Sequence, residues 1–495
     1  MTVKDEYRIY DFSGGLNTRD SVMFLGENES PDLQNVLLDE RGPFQIRPGT
    51  DKYVSNPVGN EVNSLYEFVD GDGNAHLLAA SGDSLLVKNG DNWDALKDDF
   101  TSGSRFEFVT NRVKNHCYFV NGEDGYFYYD GNEVNELDEY SPTEDEIIEF
   151  GENSFPVNPW LIAFHKFRIW LVDKEKPDRV LFCGHDIEGT VKYGYFPTEY
   201  VIGVSSDKGE DIKAIVPFGD RLLIFTKTSM WAVYGSEPEN FALAQEIDSV
   251  GTVSSRSVRE IDGHLFFLSD KGVYMYDGTM PHQISQKIPK QFKGLDLNKV
   301  DKAAAVDWGG AYMLAVPEKD NNDLILQFNT EIVSELYREQ GYAANAWVQH
   351  RGFKALDFVK TKDNKLLFAS PDGYVREYGV DDYKDDEDMI EAYLSTRALV
   401  FGSPERLKRI RRLQIVFNKA EQDMLVEMRE DFDIWKRAFL VDMHGSLKKT
   451  IITRKDFSPP SELFNFVEIK FSNRKEGPFK VHGLNIHYII REMRV

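Results

Sequence analysis

Residues 263–278, G-H-L-F-F-L-S-D-K-G-V-Y-M-Y-D-G, hold two short runs of β-forming residues joined by a turn that contains Gly272. That pattern predicts a β-hairpin. The same unit recurs as H-C-Y-F-V-N-G-E-D-G-Y-F-Y-Y-D-G ending at Gly131, D-R-L-L-I-F-T-K-T-S-M-W-A-V-Y-G ending at Gly235 and N-K-L-L-F-A-S-P-D-G-Y-V-R-E-Y-G ending at Gly379. Weaker copies end at Gly90, Gly184 and Asn329. The mean spacing of about 48 residues, with strands and no helical period inside it, is a signature of propeller blades.

Another strand-like stretch precedes each hairpin, as at 63–69 and 212–216, and a more polar one follows, so each unit is expected to carry about four strands. The predicted fold class is all-β: a β-propeller of about seven blades, with six as the alternative, an irregular N-terminal arm and a C-terminal β-sandwich. The 495 residues divide accordingly into an arm at 1–60, a propeller at 61–389 and a sandwich-like unit at 390–495, where the period is lost. The arm is broken repeatedly by Gly and Pro and is expected to lie across the propeller, with strands at 7–12 and 44–47. One of its strands is expected to complete the last blade and leave no open sheet edge. Residues 136–152, with eight acids and no base, are expected as a long exposed loop, and 381–391, with seven acids, as the linker out of the propeller.

Charge is partitioned along the chain. The formal net charge is −25, yet residues 390–495 carry 20 Lys+Arg against 14 Asp+Glu, so the remainder stands at −31. Such a surface does not grip nucleic acid broadly, because phosphate binding is driven by Lys and Arg releasing counterions. Two cysteines, Cys117 and Cys183, are too few for a disulfide framework and lack metal-site spacing. No apolar run is long enough for a membrane span, and residues 1–10 lack the apolar core of an export signal, so a chain made soluble in the cytoplasm is expected.

No nucleophile, metal or nucleotide motif is present, so neither an enzyme nor a cofactor or metal site is expected. Asp70-Gly71-Asp72-Gly73-Asn74 spaces oxygen ligands as some calcium loops do, but it lacks the distal glutamate and falls where a turn is needed. The seven tryptophans fall in or beside strands, where packing is the expected role and sugar stacking the alternative.

The basic cluster Arg406, Lys408, Arg409, Arg411 and Arg412 stands out in so acidic a chain. Leu407, Ile410 and Leu413 are three apart, which suits a helical turn with the cations on its other face; as a strand the apolar pattern is poorer. The cluster reads as a solvated charged face, as a DNA contact of little affinity on so acidic a molecule, or as a protein-docking patch, since Arg favours bidentate pairing with carboxylates such as those at 136–152 and 381–391.

F-S-G-G-L-N-T at 12–18, S-P-D-L-Q-N-V at 30–36, R-P-G-T at 47–50 and F-G-S-P-E-R-L-K-R-I-R-R-L at 401–413 resemble segments of tailed-phage packaged-DNA stabilisation or tail hub (nozzle) proteins. The resemblance implies a structural virion protein of the tail that joins the head-tail adaptor or connector to the distal tail proteins. It further implies a homo-oligomeric ring, expected to be a hexamer, which retains packaged DNA and lets it pass without sequence-specific binding or membrane insertion. A carbohydrate-binding or carbohydrate-cleaving propeller is the alternative, because the fold alone does not exclude it.

Overall fold

A computed structural model describes residues 4–204, 209–319, 321–330, 347–402, 404–444 and 462–491, with the backbone alone at 452–457. The protein is almost wholly β. Each repeated hairpin supplies the second and third strands of a four-stranded antiparallel sheet. In the fifth sheet His264–Ser269 pairs with Gly272–Tyr276, flanked by Arg259–Ile261 on the inside and Pro281–Gln283 on the outside. Turn chemistry also fixes the preceding hairpin, between Arg259–Ile261 and His264–Ser269: Asp262 and Gly263 both take the left-handed conformation that a two-residue turn needs.

Among the described residues seven such sheets follow one another, and their first strands stand side by side around a common axis. The strand Val62–Val69 opens the first sheet and Asp357–Lys360 the last, and these two touch, which closes the ring of a β-propeller. Burial falls from the axis outward. Arg168–Asp173 is buried throughout, whereas the outer strands Asn92–Lys97 and Ala242–Ile247 are largely exposed. Successive sheets pack through aromatic and aliphatic cores, such as the group of Phe100, Phe106, Phe119 and Phe127 between the first two.

The seventh sheet takes its outer strand from the other end of the chain, as ring closure required. Gly49–Lys52 pairs antiparallel with Val375–Val380, with Tyr378 opposite Thr50. Every propeller sheet among the described residues therefore has at least four strands, and the seventh continues past Gly49–Lys52 into the short strands Lys384–Asp385 and Asp388–Met389.

Strand pairing crosses the divisions drawn from sequence. Within residues 1–60, Lys4–Ile9 pairs with Lys480–Ile490, Phe44–Ile46 lies between Lys480–Ile490 and Val36–Leu38, and Leu33–Gln34 pairs with Tyr393–Ser395. One six-stranded and one five-stranded sheet thus draw on both chain ends and share one apolar core, where Phe44 meets Phe471 and Phe479. That core continues into the propeller through Trp347 and Phe328. Hence Trp347–His350, an outer strand that would otherwise face water, is fully buried beneath Gly15–Leu16, Leu33–Gln34 and Val36–Leu38.

Two acidic stretches also depart from expectation. Within 136–152 the chain forms a helix, Glu144–Phe150, started by a capping box in which Thr143 and Glu146 exchange hydrogen bonds. Glu146 is buried and also accepts from the Tyr140 hydroxyl at 3.1 Å, and the backbone N–H of Thr143 holds its carboxyl below the usual range. The 381–391 stretch is pinned and does not serve as a free linker. Asp385 is buried and forms a two-pronged ion pair with Arg47, which is itself fully buried. Arg47 also donates to the Asn35 side chain at 3.0 Å and to the Arg351 carbonyl at 3.0 Å, with the Phe353 ring 4.8 Å from its guanidinium carbon. The R-P-G-T stretch is therefore the crossing between the shared core and the propeller.

Candidate functional site

The basic cluster lies on a strand, Lys408–Asn418, and not on a helical turn. A bulge at Arg411, between the pairs Ile410–Tyr488 and Arg412–His487, resets the alternation, so that Ile410, Leu413, Ile415 and Phe417 all point into the core. The structure divides the five expected docking residues. Arg406, Arg409, Arg411 and Arg412 are exposed, the last three on the outward side of the sheet. Lys408 is buried; its ammonium donates to the Asn465 carbonyl at 2.9 Å, and desolvation lowers its pKa. It is a structural lysine and leaves the docking patch.

The Asp70 loop is a turn held by its own carboxylate. Asp70 accepts from the backbone N–H groups of Asp72 and Asn74 at 3.0 and 2.8 Å and from the Asn74 side chain at 2.9 Å. Those bonds hold its carboxyl well below the usual range. Cys117 and Cys183 are buried free thiols on different sheets, and burial pushes both well up. Trp170 and Trp347 are fully buried, in keeping with packing. Asp423, Asp442 and His444 are the one convergent group of possible metal ligands among the described residues. Asp442 and His444 are exposed, and the imidazole Nδ1 is hydrogen-bonded to Asp442 at 2.5 Å.

The densest polar constellation lies on the propeller axis, and sequence reasoning missed it. A single turn of 3-10 helix, Ser255–Ser257, precedes the inner strand of the fifth sheet and sends Arg256 across the axis. Its guanidinium donates to Asp357 at 2.9 Å, to Glu107 at 3.2 Å, to the Ser64 hydroxyl at 2.9 Å and to the carbonyls of Asn63 and Phe106 at 3.0 and 2.5 Å. One side chain from the fifth sheet thus ties together the first, second and seventh. Asp357 accepts in addition from the Leu65 N–H at 3.0 Å, so the buried pair is well satisfied.

This clasp divides the axial channel. Where the inner strands begin there is a cavity of about 370 Å³ lined by Arg105, Glu123, Trp160, Lys174 and Lys213. Where they run out there is one of about 410 Å³ lined by Tyr66, Phe108, Arg259, Asp307, Phe358 and Lys360. Burial and the nearby Arg256 charge push the Arg105 guanidinium down to about 10. The only advance sign in the sequence was the arginine pair in S-S-R-S-V-R at 254–259, where an inner strand begins.

These features define a β-propeller with an ionic clasp across its axis and a second β unit knitted from both chain ends. Solved structures similar to the chain include a virginiamycin B lyase from Staphylococcus aureus, at 8% identity and a TM-score of 0.41 over 68% of this chain and 98% of that one. The extracellular domain of a putative one-component system from B. thetaiotaomicron is similar over 88% of this chain and 58% of that one, at 10% identity and a TM-score of 0.43. The WD40 β-propeller domain of Doa1 is similar at 10% identity and a TM-score of 0.37, over 67% of this chain and 97% of that one. At this level the likeness carries nothing about activity. No protein-family model matches the chain, and no curated protein matches it significantly. Among the described residues no helix is long and apolar enough to cross a membrane.

Proposed function

We propose that the chain is a structural protein of a tailed-phage virion: a seven-bladed propeller joined to a β-sandwich, assembling as a ring, with six copies expected, at the head-tail connector. In this reading it links the adaptor to the distal tail proteins, helps retain packaged DNA and borders its exit path. The observation that carries it is the outward row Arg409, Arg411 and Arg412 on the basic C-terminal part of a chain whose net charge is −25. A basic face and an acidic propeller on one molecule suit head-to-side contact between copies, because opposed potentials steer and register association. Arg256 crosses the propeller axis, so the DNA path belongs between copies and not within one. The acidic propeller wall then keeps a duplex mobile by repulsion.

Electron microscopy of virions and mass photometry of the purified chain across salt test this reading. Wild type is expected to form a ring whose assembly weakens as salt rises, and Arg409→Glu with Arg412→Glu is expected to weaken ring assembly or tail attachment while leaving the monomer folded. A ring that persists unchanged in the double variant at every salt concentration refutes the docking role. A chain that is monomeric under all conditions and absent from particles refutes the virion reading.

A further inference from the structure

We propose that the axial cavity where the inner strands run out binds a small organic monoanion, a carboxylate with an aromatic or apolar body, through Arg259. The inference is independent of the virion reading. Around the axis three guanidinium groups, those of Arg105, Arg256 and Arg259, face two carboxylates, Glu107 and Asp357, and Arg256 hydrogen-bonds to both. Arg105 donates only to backbone carbonyls, those of Asp301 and Leu356 at 3.4 and 3.1 Å. Among the described residues Arg259 makes one hydrogen bond, to the Val258 carbonyl at 2.7 Å, and no ion pair.

A guanidinium carries five N–H donors in a planar fork, and the half-buried Arg259 uses one of them within the described residues. Burial depresses the Arg259 pKa, and the charge of Arg256 adds to that; Asp357, Glu107 and Tyr312 offset it in part. The remaining ionic groups of the cavity, Lys360 and Asp307, face each other at 3.6 Å. The ionic lining of this cavity thus balances, Arg256, Arg259 and Lys360 against Glu107, Asp307 and Asp357, but the three carboxylates are taken up by Arg256 and Lys360. A carboxylate ligand supplies the ion pair that Arg259 lacks among the described residues. Guanidinium pairs a carboxylate in a two-pronged geometry.

The walls define the rest of the ligand. Tyr66 and Phe108 stack at 5.2 Å, and Phe358 and Val306 complete an apolar lining. A volume of about 410 Å³ lies within the range of small-molecule sites. The buried Arg256–Asp357 pair forms a rigid floor, so the site is preformed.

Isothermal titration calorimetry of the full chain with phenylacetate, 2-phenylethanol, acetate and inorganic phosphate tests the proposal, on wild type and on Arg259→Gln. Phenylacetate is expected to bind saturably and at least about tenfold more tightly than the uncharged alcohol, and Arg259→Gln to weaken it by about tenfold or more, as loss of a charge-assisted hydrogen bond implies. Acetate and phosphate are expected to bind more weakly than phenylacetate, both for want of an apolar body to fill the cavity. Without ligand, Arg259→Gln is expected to melt at or above the wild-type temperature, because it removes a half-buried charge that makes no ion pair among the described residues. Absence of saturable phenylacetate binding up to about 10 mM, undiminished binding by Arg259→Gln, or a lowered melting temperature of the ligand-free variant would each overturn the proposal. The last result would make the guanidinium a structural link and not a ligand-binding group.

Discussion

Replacing Arg256 with Met tests the axial clasp, because Met keeps the length of the side chain and deletes its charge. In the native protein the guanidinium makes five hydrogen bonds, two of them to carboxylates, and the partner Asp357 is buried. Removing one partner of a buried pair leaves the other charge uncompensated, at a cost of about 3–5 kcal/mol. Glu107 is more exposed and regains water, so the loss falls mainly on Asp357. For a cooperative unit of about 300 residues the entropy of unfolding is roughly 0.6 kcal/mol/K, so a loss of about 4 kcal/mol lowers Tm by about 6 °C. Differential scanning calorimetry and urea unfolding measure it. A second variant adding Asp357→Asn removes the stranded charge and is expected to recover part of the loss, which a double-mutant cycle reads as positive coupling. A Tm change of under about 1 °C in Arg256→Met, or no coupling in the cycle, would show that the clasp contributes nothing to holding the sheets together and refute the reasoning.

The crossing between the two units and its neighbourhood give two further expectations. At Gly49 a Cβ would strike the backbone carbonyl of Lys384, so Gly49→Ala is expected to destabilise by about 1–3 kcal/mol through local overpacking, read as a lower urea midpoint. His350 is fully buried beside Arg47, and burial followed by that charge holds its pKa well below the ordinary 6.5. The unfolded chain therefore takes up a proton near pH 6.5 while the folded one does not, so stability falls as pH drops below 6.5, by about 1.4 kcal/mol at pH 5.5 from this group alone. Urea midpoints between pH 7.5 and 5.5 check this, and His350→Gln is expected to flatten the slope by that amount.

The parts of the fold that were legible in the sequence are those whose contacts are local. Hairpins such as 263–278 carry both partners and their turn within a few residues, so the seven sheets showed through as a period. Several strands of the first 60 residues did not. Gly15–Leu16, Leu33–Gln34 and Val36–Leu38 are two or three residues long, too short for a period, and most of what covers or pairs with them lies hundreds of residues away. The strands Lys4–Ile9 and Phe44–Ile46 were anticipated in approximate place but not their partners, and the closing strand came from the requirement that a ring of sheets leave no edge.

The basic strand was misread for a particular reason. The bulge at Arg411 inserts one residue, so the inward positions Ile410 and Leu413 stand three apart, a helical spacing produced by an irregular strand. At the axis, Arg256 acts through groups on three other sheets, and nothing near it in sequence announces them. Lys408 shows the converse, since a charge in a basic run looked solvated but its side chain finds a buried carbonyl.

The pairing of Lys4–Ile9 with Lys480–Ile490 also sets an order of events in synthesis. The Tyr10 hydroxyl and the Asn485 side chain, bonded at 2.6 Å, lie 475 positions apart, so the first strand leaves the ribosome long before its partner exists. At about 5–20 residues per second it waits for roughly 25–100 s. Closing a loop of that length costs about 5.5 kcal/mol in chain entropy before any contact repays it. The strand Gly49–Lys52 must likewise wait for the seventh sheet, so a nascent chain can stack its central sheets as they emerge but cannot seal the ring until nearly four-fifths of it has been made. A chain truncated before residue 480 lacks the partner of its first strand and keeps an unpaired edge, so a missing C-terminus is felt at the N-terminus.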